Sequence, residues 1–564
     1  MINSRQASLK YYRENPEVSV LIIGGGVNGI GVFRDLALQG IDVLLVEKSD
    51  FASGASAASS HMLHGGLRYL ENGEFRLVRE ALHERNLLLK NAPHYAKPLP
   101  TTIPIFKWFS GILNAPLKFL GIMDKPSERG AIIIKLGLTM YDWFTWFDNP
   151  MPRHKFHSKG RSLQKRPKLN PNIVCTATYY DAWMPYPERL CIEMILDAET
   201  ISDKAHALNY VSAVNANGNR VTLHDEVSGE TFEVQPQIVV NAAGPWIDLA
   251  NTNMGIPTQF IGGTKGSHIV VDHPELHSAT QGHEIFFENE DGRIVLFFPL
   301  LDKVLIGTTD IPVNSPEGVI CTDEEIDYML GFLKHVFPTI HVGREHIVYT
   351  FSGVRPLPAS DASNPGQISR DHSIKIVEPN ETLHFPIYSL VGGKWTTFRA
   401  FSEQTTEKLL ARLRQPRRHS TRHLSIGGGQ GYPTTNADRA KWLAALNKET
   451  QIPVERLETL LERYGTRAED IARYSVGAND KPLDTLPTYH TCELKFIAIH
   501  EKVVHLTDIL QRRSLLAMCG YIKRDAIGEI GQVVGEVLGW NAEQTQVEIE
   551  NAIQVLQENH RMEL

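Results

Sequence analysis

Residues 18–50 read "VSVLIIGGGVNGIGVFRDLALQGIDVLLVEKSD". The apolar run Val18 to Ile23 has the composition of a strand buried on both faces. A glycine turn follows, Gly24-x-Gly26-x-x-Gly29. Ile30, Phe33, Leu36 and Ala37 then recur at helical spacing, and Gly40 ends that helix. Ile41 to Val46 reads as a second strand, closing at Glu47. The glycines have separate tasks. Gly24 permits the tight turn, Gly26 lets backbone approach a pyrophosphate, and Gly29 lets helix and strand pack closely. The helix N-terminus then faces the phosphates. Glu47 stands 18 positions after Gly29, where a carboxylate can accept hydrogen bonds from ribose hydroxyls. Glycine spacing alone is weak; strand, helix and acid together specify a dinucleotide fold. They do not separate NAD from FAD.

Outward from this unit, the 564-residue chain is long enough for two or three domains. A net charge of -8 argues against a general nucleic-acid binder. The five cysteines, Cys175, Cys191, Cys321, Cys492 and Cys519, are scattered without a CxxC pair. Neither a metal site nor a disulfide framework is indicated, and a reducing compartment fits best. The polar N-terminus lacks a signal-type apolar core, and no segment reaches the roughly 18 apolar residues of a membrane span. Residues 70–95 read as an amphipathic helix, 204–245 as short strands and turns, and 260–315 as further β segments. After about residue 430 the pattern becomes helical.

Two later stretches favour a flavin. "IVVNAAGPWID", 238–248, is a strand running into Ala242, Ala243 and Gly244. "LVGGKWTTFRAFSEQ", 390–404, is a Gly-Gly turn opening a helix, whose backbone N–H groups and dipole suit an anionic reduced ring. Beside them stand "SSHMLHGGLRYL" (59–70), "KGSHIVV" (265–271), "IGTTD" (306–310) and "SGVRPL" (352–357). In this order, and with the tail "CELKFIAIHEKVVHLTDILQRRSLLAM", the motifs resemble those of the FAD-dependent glycerol-3-phosphate dehydrogenase family, the quinone-linked respiratory enzymes. The resemblance covers nearly the whole chain.

The resemblance implies an α/β fold: a Rossmann-type FAD domain, an interleaved mostly β substrate domain, and a helical C-terminal domain. The expected limits are 17–425 for the FAD-dependent oxidoreductase region and 430–564 for the helices. Within the first, FAD-binding segments fall at about 17–100, 170–260 and 345–415. Substrate and membrane segments fall at about 101–169 and 261–344. FAD contacts are expected from Gly24, Gly26, Gly29, Glu47, Ser59, Ser60, His64, Gly65, Gly66, Ala243, Gly244, Gly353, Gly392, Gly393, Lys394, Thr396 and Thr397. Arg68, Tyr69, His268, Thr309, Arg355 and Lys394 are expected at the substrate. A phosphomonoester near -2 charge needs several cations, and arginine grips it bidentately. The implied reaction takes glycerol 3-phosphate to its ketone, with hydride passing to FAD. His268 is the favoured base, since imidazole titrates near neutrality, with His64 the second candidate. Arg355 can stabilise the developing alkoxide. No metal is expected.

Two departures bear on the pocket. His61 stands where the family pattern has lysine, and Pro187-Glu188-Arg189-Leu190 replaces an acidic run that often walls the active site. A membrane face is also expected. Trp108, Phe109, Ile112, Leu113, Leu117, Phe119, Leu120, Trp143, Phe144, Trp146 and Phe147 form an apolar aromatic zone, and seven Lys and Arg follow between Arg153 and Lys168. Apolar anchors beside basic charge suit an anionic lipid surface, where a lipid-soluble quinone is reached. The implied location is peripheral, on the cytoplasmic side of the cell membrane, with a soluble pool and a homodimer both compatible. The sequence leaves open an oxidase that uses oxygen, and a relative acting on another small hydroxy or amino substrate. A flavin-binding sensor without turnover would not need Arg68, His268, Arg355 and Lys394 together.

Overall fold

The structure is a computed structural model that describes residues 4–66, 74–110, 130–144, 151–288, 294–359 and 371–564. Its first sheet is the one expected from residues 18–50. Strand Glu17–Ile23 pairs in parallel with Val43–Glu47 on one side and with Thr231–Asn241 on the other. Ala205–Asn209 and Ile387–Val391 extend the sheet in parallel outward, and Ser373–Val377 closes one edge antiparallel. Helices cover both faces, which is why the strands are apolar throughout. Val27–Leu38, Pro187–Ile201 and Phe398–Leu413 pack one face around Ile22, Phe33 and Phe401. The other face buries Leu21, Val46 and Val239 under helix Ser4–Glu14 and the Val211–Asn217/Arg220–Asp225 hairpin. That first helix was not legible in its polar sequence. Leu9 and Tyr12 pin it down, and Arg5 pairs with the buried Asp225.

The second sheet has ten strands and is almost wholly antiparallel. Its order runs Ile311–Pro312, Thr264–Val271, Lys303–Gly307, Ile294–Leu300, Glu284–Glu288, Lys97–Ile105, Cys175–Trp183, Met62–Leu63. Ile347–Arg355 also pairs with Thr264–Val271, and Lys155–Ser158 with Cys175–Trp183. By position in the chain, Cys175–Trp183 and Ile347–Arg355 were expected among the FAD-binding segments. Their ladders run to Lys97–Ile105 and Thr264–Val271, so they belong to the second sheet.

Alternation with period two sorts this sheet into two faces. Ile269, Val271, Ile285, Phe297 and Ile306 point to helix Asp323–Val336. Val270, Leu296, Phe298 and Leu305 join the core of the C-terminal helices, which include Val454–Tyr464, Thr491–His500, Arg524–Leu538 and Ala542–His560. The C-terminal part therefore shares a hydrophobic core with the second sheet. It is also bolted to the first sheet by buried charge. Arg189 donates to both oxygens of Glu501 at 2.8 Å, and Asp50 accepts from Arg512 and Arg513. All five cysteines are buried free thiols. No helix among the described residues is long and apolar enough to cross a membrane.

Candidate active site

A cavity of about 1250 Å³ lies between the two sheets and runs under the first C-terminal contacts. Ligand sites are usually about 300–1,000 Å³, so this one has room for a dinucleotide with a small substrate. Its first end is made of backbone. Gly24 has φ +111°, and a Cβ there would stand 2.6 Å from the carbonyl carbon of Ala242. Its N–H donates to Val46 at 2.9 Å. Any side chain would therefore both strain the turn and push apart the two strands that hold the cradle. Gly29 presses against the Gly24 carbonyl and Ala242, so its task is packing and it does not line the cavity.

Glu47 closes the second strand and accepts from Gly25 N at 2.7 Å and Ser49 N at 2.9 Å. Burial pushes its carboxyl above the ordinary value, and the two N–H donors act against that. Ala243 and Gly244 bring the end of the Thr231–Asn241 strand back to the same place, with Ala243 N–H donating to Asn241. Ser56 Oγ accepts from Val27 N at 3.0 Å, and Trp395 Nε1 donates to the Ser56 carbonyl at 2.9 Å. The Gly392-Gly393 turn is tied to helix Val27–Leu38 by Asn28, whose Nδ2 donates to Gly392 O. Thr396 Oγ1 donates to His64 O at 3.2 Å, joining the two loops expected beside the flavin.

Gly24, Gly26, Glu47, Ser59, Ser60, His64, Gly66, Ala243, Gly244, Gly353, Gly392, Gly393, Lys394 and Thr396 all line the cavity. Three expected contacts sit behind it. Besides Gly29, Gly65 N–H donates to Tyr141 Oη at 2.9 Å, and Thr397 is buried in the start of the late helix. Arg68 and Tyr69 lie outside the described residues. So do Ile112, Leu113, Leu117, Phe119, Leu120, Trp146 and Phe147.

The second end is made of side chains from the second sheet. His268 faces Phe351 at 4.8 Å with its ring nearly parallel, and Gly307 opposite leaves room for the imidazole. Ser60 Oγ is 2.8 Å from its Nε2. Burial first, then the Arg355 charge, with His61 adding to them once protonated, hold this imidazole well below its ordinary pKa, so it is neutral near pH 7. Arg355 ends the neighbouring strand. Its guanidinium donates to Asp310 at 2.9 Å, to Thr308 Oγ1 at 3.1 Å and to Thr309 O at 3.2 Å. Gly266 leaves the space that this guanidinium fills. Thr309 lines the cavity, but its hydroxyl is engaged: it accepts from Ser267 N and donates to Glu325.

The two departures resolve differently. His61 is fully buried beside Phe351, and burial pushes it down to about 4, so a neutral ring replaces the family's cation. Glu188 and Arg189 do not wall the cavity. Arg189 lies over Tyr464 and grips Glu501 in the C-terminal part. Sequence reasoning missed the anchors. Asp310 was inside a quoted motif and could have been found. Glu325 carries a helix-start signal, Thr-x-x-Glu, and forms a capping box with Thr322 while holding Ser267, Thr309 and Lys265.

Comparison with known proteins bears on the family and the fold. Residues 19–374 match the family model of the FAD-dependent oxidoreductases, and residues 419–545 match the C-terminal domain of alpha-glycerophosphate oxidase. A glycerol-3-phosphate dehydrogenase from Synechocystis is 34% identical, with 97% of each chain covered. The aerobic glycerol-3-phosphate dehydrogenase of Escherichia coli is 32% identical over 93% of this chain and 98% of its own. The fold also matches the crystal structure of the glycerol-3-phosphate dehydrogenase from Bacillus halodurans complexed with FAD, at a TM-score of 0.75 and 21% identity over 99% and 98% of the chains. With a glycine cradle, a strand-ending acid and an arginine-bearing pocket joined in one cavity, the chain belongs to the FAD-dependent glycerol-3-phosphate dehydrogenase family.

Proposed function

We propose that the enzyme oxidises sn-glycerol 3-phosphate to dihydroxyacetone phosphate and delivers the electrons to a quinone at a membrane surface. The observation that carries this reading is the meeting of a neutral, fixed imidazole and an oriented guanidinium in the dinucleotide cavity. FAD, when bound along the glycine cradle, supplies the hydride acceptor. His268 takes the C2 hydroxyl proton as the C2–H bond gives up its hydride; the carbon is left as a carbonyl. Ser60 and Phe351 fix the ring for that transfer. Arg355, held by Asp310 and Thr308, faces the charge that develops on the oxygen. Arg355 and Lys394, with Arg68 by family resemblance, neutralise the phosphate. Thr309 positions the Thr264–Val271 strand through Ser267.

The membrane reading rests on one surface. Trp108 (52% exposed), Phe109 (71%), Ile132 (47%), Leu136 (63%) and Trp143 (68%) stand out on helix Ala131–Phe144 and the loop packed against its start. Six of the seven basic residues that follow are exposed; Arg166 is buried. Interfacial anchoring needs this pairing of apolar side chains with basic charge.

The test is anaerobic reduction of the bound flavin by glycerol 3-phosphate, followed by reoxidation with quinone or oxygen. Bleaching by glycerol 3-phosphate and rapid recovery with quinone are expected. A relative from Brucella abortus, 30% identical, is named D-erythritol 1-phosphate dehydrogenase, so that tetritol phosphate is the competing substrate. Faster bleaching by it would overturn the substrate reading. Preferential recovery with oxygen, giving peroxide, would overturn the acceptor.

A further inference from the structure

One face of the second sheet floors part of the cavity. Its register sets His268, Gly307, Leu296 and Phe286 in one row, and Glu284, Thr101 and Tyr179 in the next. Glu284, Tyr179, Asp181 and Phe286 all line the cavity, well along the sheet from Arg355. Arg355 marks one end of the floor and carboxyls the other.

The two carboxyls are not alike. Asp181 accepts from Arg85 at 2.7 Å and from Tyr141 Oη at 2.5 Å; burial pushes its carboxyl up, but this cation and these hydrogen bonds oppose that. Glu284 is 1% exposed and accepts from Thr101 Oγ1 at 2.7 Å. Among the described residues no Lys, Arg or His forms an ion pair with it. A buried, uncompensated carboxylate is costly, so such a group keeps its proton. The groups facing it act in the same sense or weakly. Burial pushes its carboxyl up to about 8, the Asp181 charge adds to this, and only Thr101 opposes it. Tyr179 is held neutral by burial, and so is the adjacent His283, pushed down to about 4.

This acid also stands on the side of the apolar surface. Tyr141, which anchors Asp181, belongs to helix Ala131–Phe144, whose outer face carries Ile132, Leu136 and Trp143. We propose that Glu284 is the proton donor to the electron acceptor, a second chemical station three strands along the same sheet from His268. This rests on the quinone reading above. Conversion of a quinone to a hydroquinone takes two electrons and two protons. The electron pair and one hydrogen come from the reduced cofactor. The second proton leaves the Glu284 carboxyl for the other quinone oxygen, and the carboxylate is reprotonated from water through the cavity.

Glu284→Gln in the holoenzyme tests this with one activity-free readout and one kinetic split. A group whose folded pKa is raised contributes stability below its unfolded value and loses it as pH rises through the folded value. The wild type should therefore lose stability between about pH 4.3 and about 8, and the glutamine variant should lose less over that window. Reoxidation of the reduced enzyme by a short-chain quinone should slow at least about tenfold in the variant. Reoxidation by ferricenium, which takes electrons without a proton, should keep its rate. In the wild type the quinone rate should fall as pH rises through about 8 while the ferricenium rate stays level. Unchanged quinone reoxidation, or equal loss with both acceptors, would overturn the proposal. If glycerol 3-phosphate fails to bleach the flavin, dithionite reduction leaves the reoxidation comparison intact, so the two readings fail separately. Should Glu284→Gln not fold, Thr101→Val removes the one opposing hydrogen bond and should move the fall in quinone rate to higher pH.

Discussion

At the dinucleotide end of the cavity most working atoms are backbone, and the main exceptions, Glu47 and Ser56, are themselves held by backbone N–H groups. At the end that holds His268 and Arg355 the working atoms are side chains from strands and loops far apart in the chain: Ser60, His268, Thr308, Asp310 and Arg355. The first end tolerates change in side chains that point away but none where the backbone must approach. The second tolerates backbone variation as long as register survives. Affinity for the cofactor and chemistry on the substrate should therefore separate under mutation.

The largest effect should come from Gly24→Ala. A Cβ 2.6 Å from Ala242 in a left-handed turn closes the cradle, so the purified protein should carry little visible flavin or fail to fold. A fully flavinylated Gly24→Ala enzyme would break the comparison at its root. His268→Ala and Arg355→Ala should do the opposite. Each should retain flavin at the wild-type ratio and lose about 10²–10⁴-fold in the rate of bleaching by substrate. Because the His268 pKa is depressed, the acidic limb of the wild-type rate should lie below the ordinary histidine value of about 6.5. A limb at or above that value would remove His268 as the base.

A middle effect should link the two ends. Asp50 follows Glu47 by three residues and is held by Arg512, Arg513 and Asn209. Those arginines keep its carboxyl below the usual range, so the pair stabilises the fold above about pH 4 and is lost as acid protonates it. Arg513→Met should cost about 3 kcal/mol in urea unfolding at pH 7 and speed flavin release. Smaller still, Leu136→Ser and Trp143→Ser should each weaken binding to anionic vesicles by about tenfold, with flavin bleaching unchanged. Vesicle binding that resists both changes would sink the membrane face. Lys168→Ser, which removes an exposed pair with Glu275, should shift the melting temperature by no more than about 1–2 °C.

The dinucleotide end was legible because its physics is local. A tight turn, a helix N-terminus and a strand-ending acid lie within thirty residues, so Gly24, Gly26 and Glu47 could be assigned from spacing alone. The flavin-side loops were legible as motifs, and Lys394, Thr396 and His64 do meet. Less was readable where position depends on neighbours. Gly65 and Thr397 sit within the quoted motifs, yet they face the core. Arg189 was suspected at the active site and instead bolts the C-terminal helices to the rest. Helix Ser4–Glu14 gave no pattern because its packing rests on few residues, chiefly Leu9, Tyr12 and Arg5.

The sequence by itself determined the Rossmann unit, the family and the kinds of residue that line the cavity, since each is encoded in short stretches whose geometry the backbone enforces. Only the tertiary structure decided which side chains share one face of the second sheet. Ladder register sets that, and a slip of one residue would turn His268 and Glu284 to the opposite side. Glu284 shows the point most plainly. In "EIFFE" it reads as the polar edge of an apolar strand, and only burial with no cation beside it among the described residues pushes its carboxyl up.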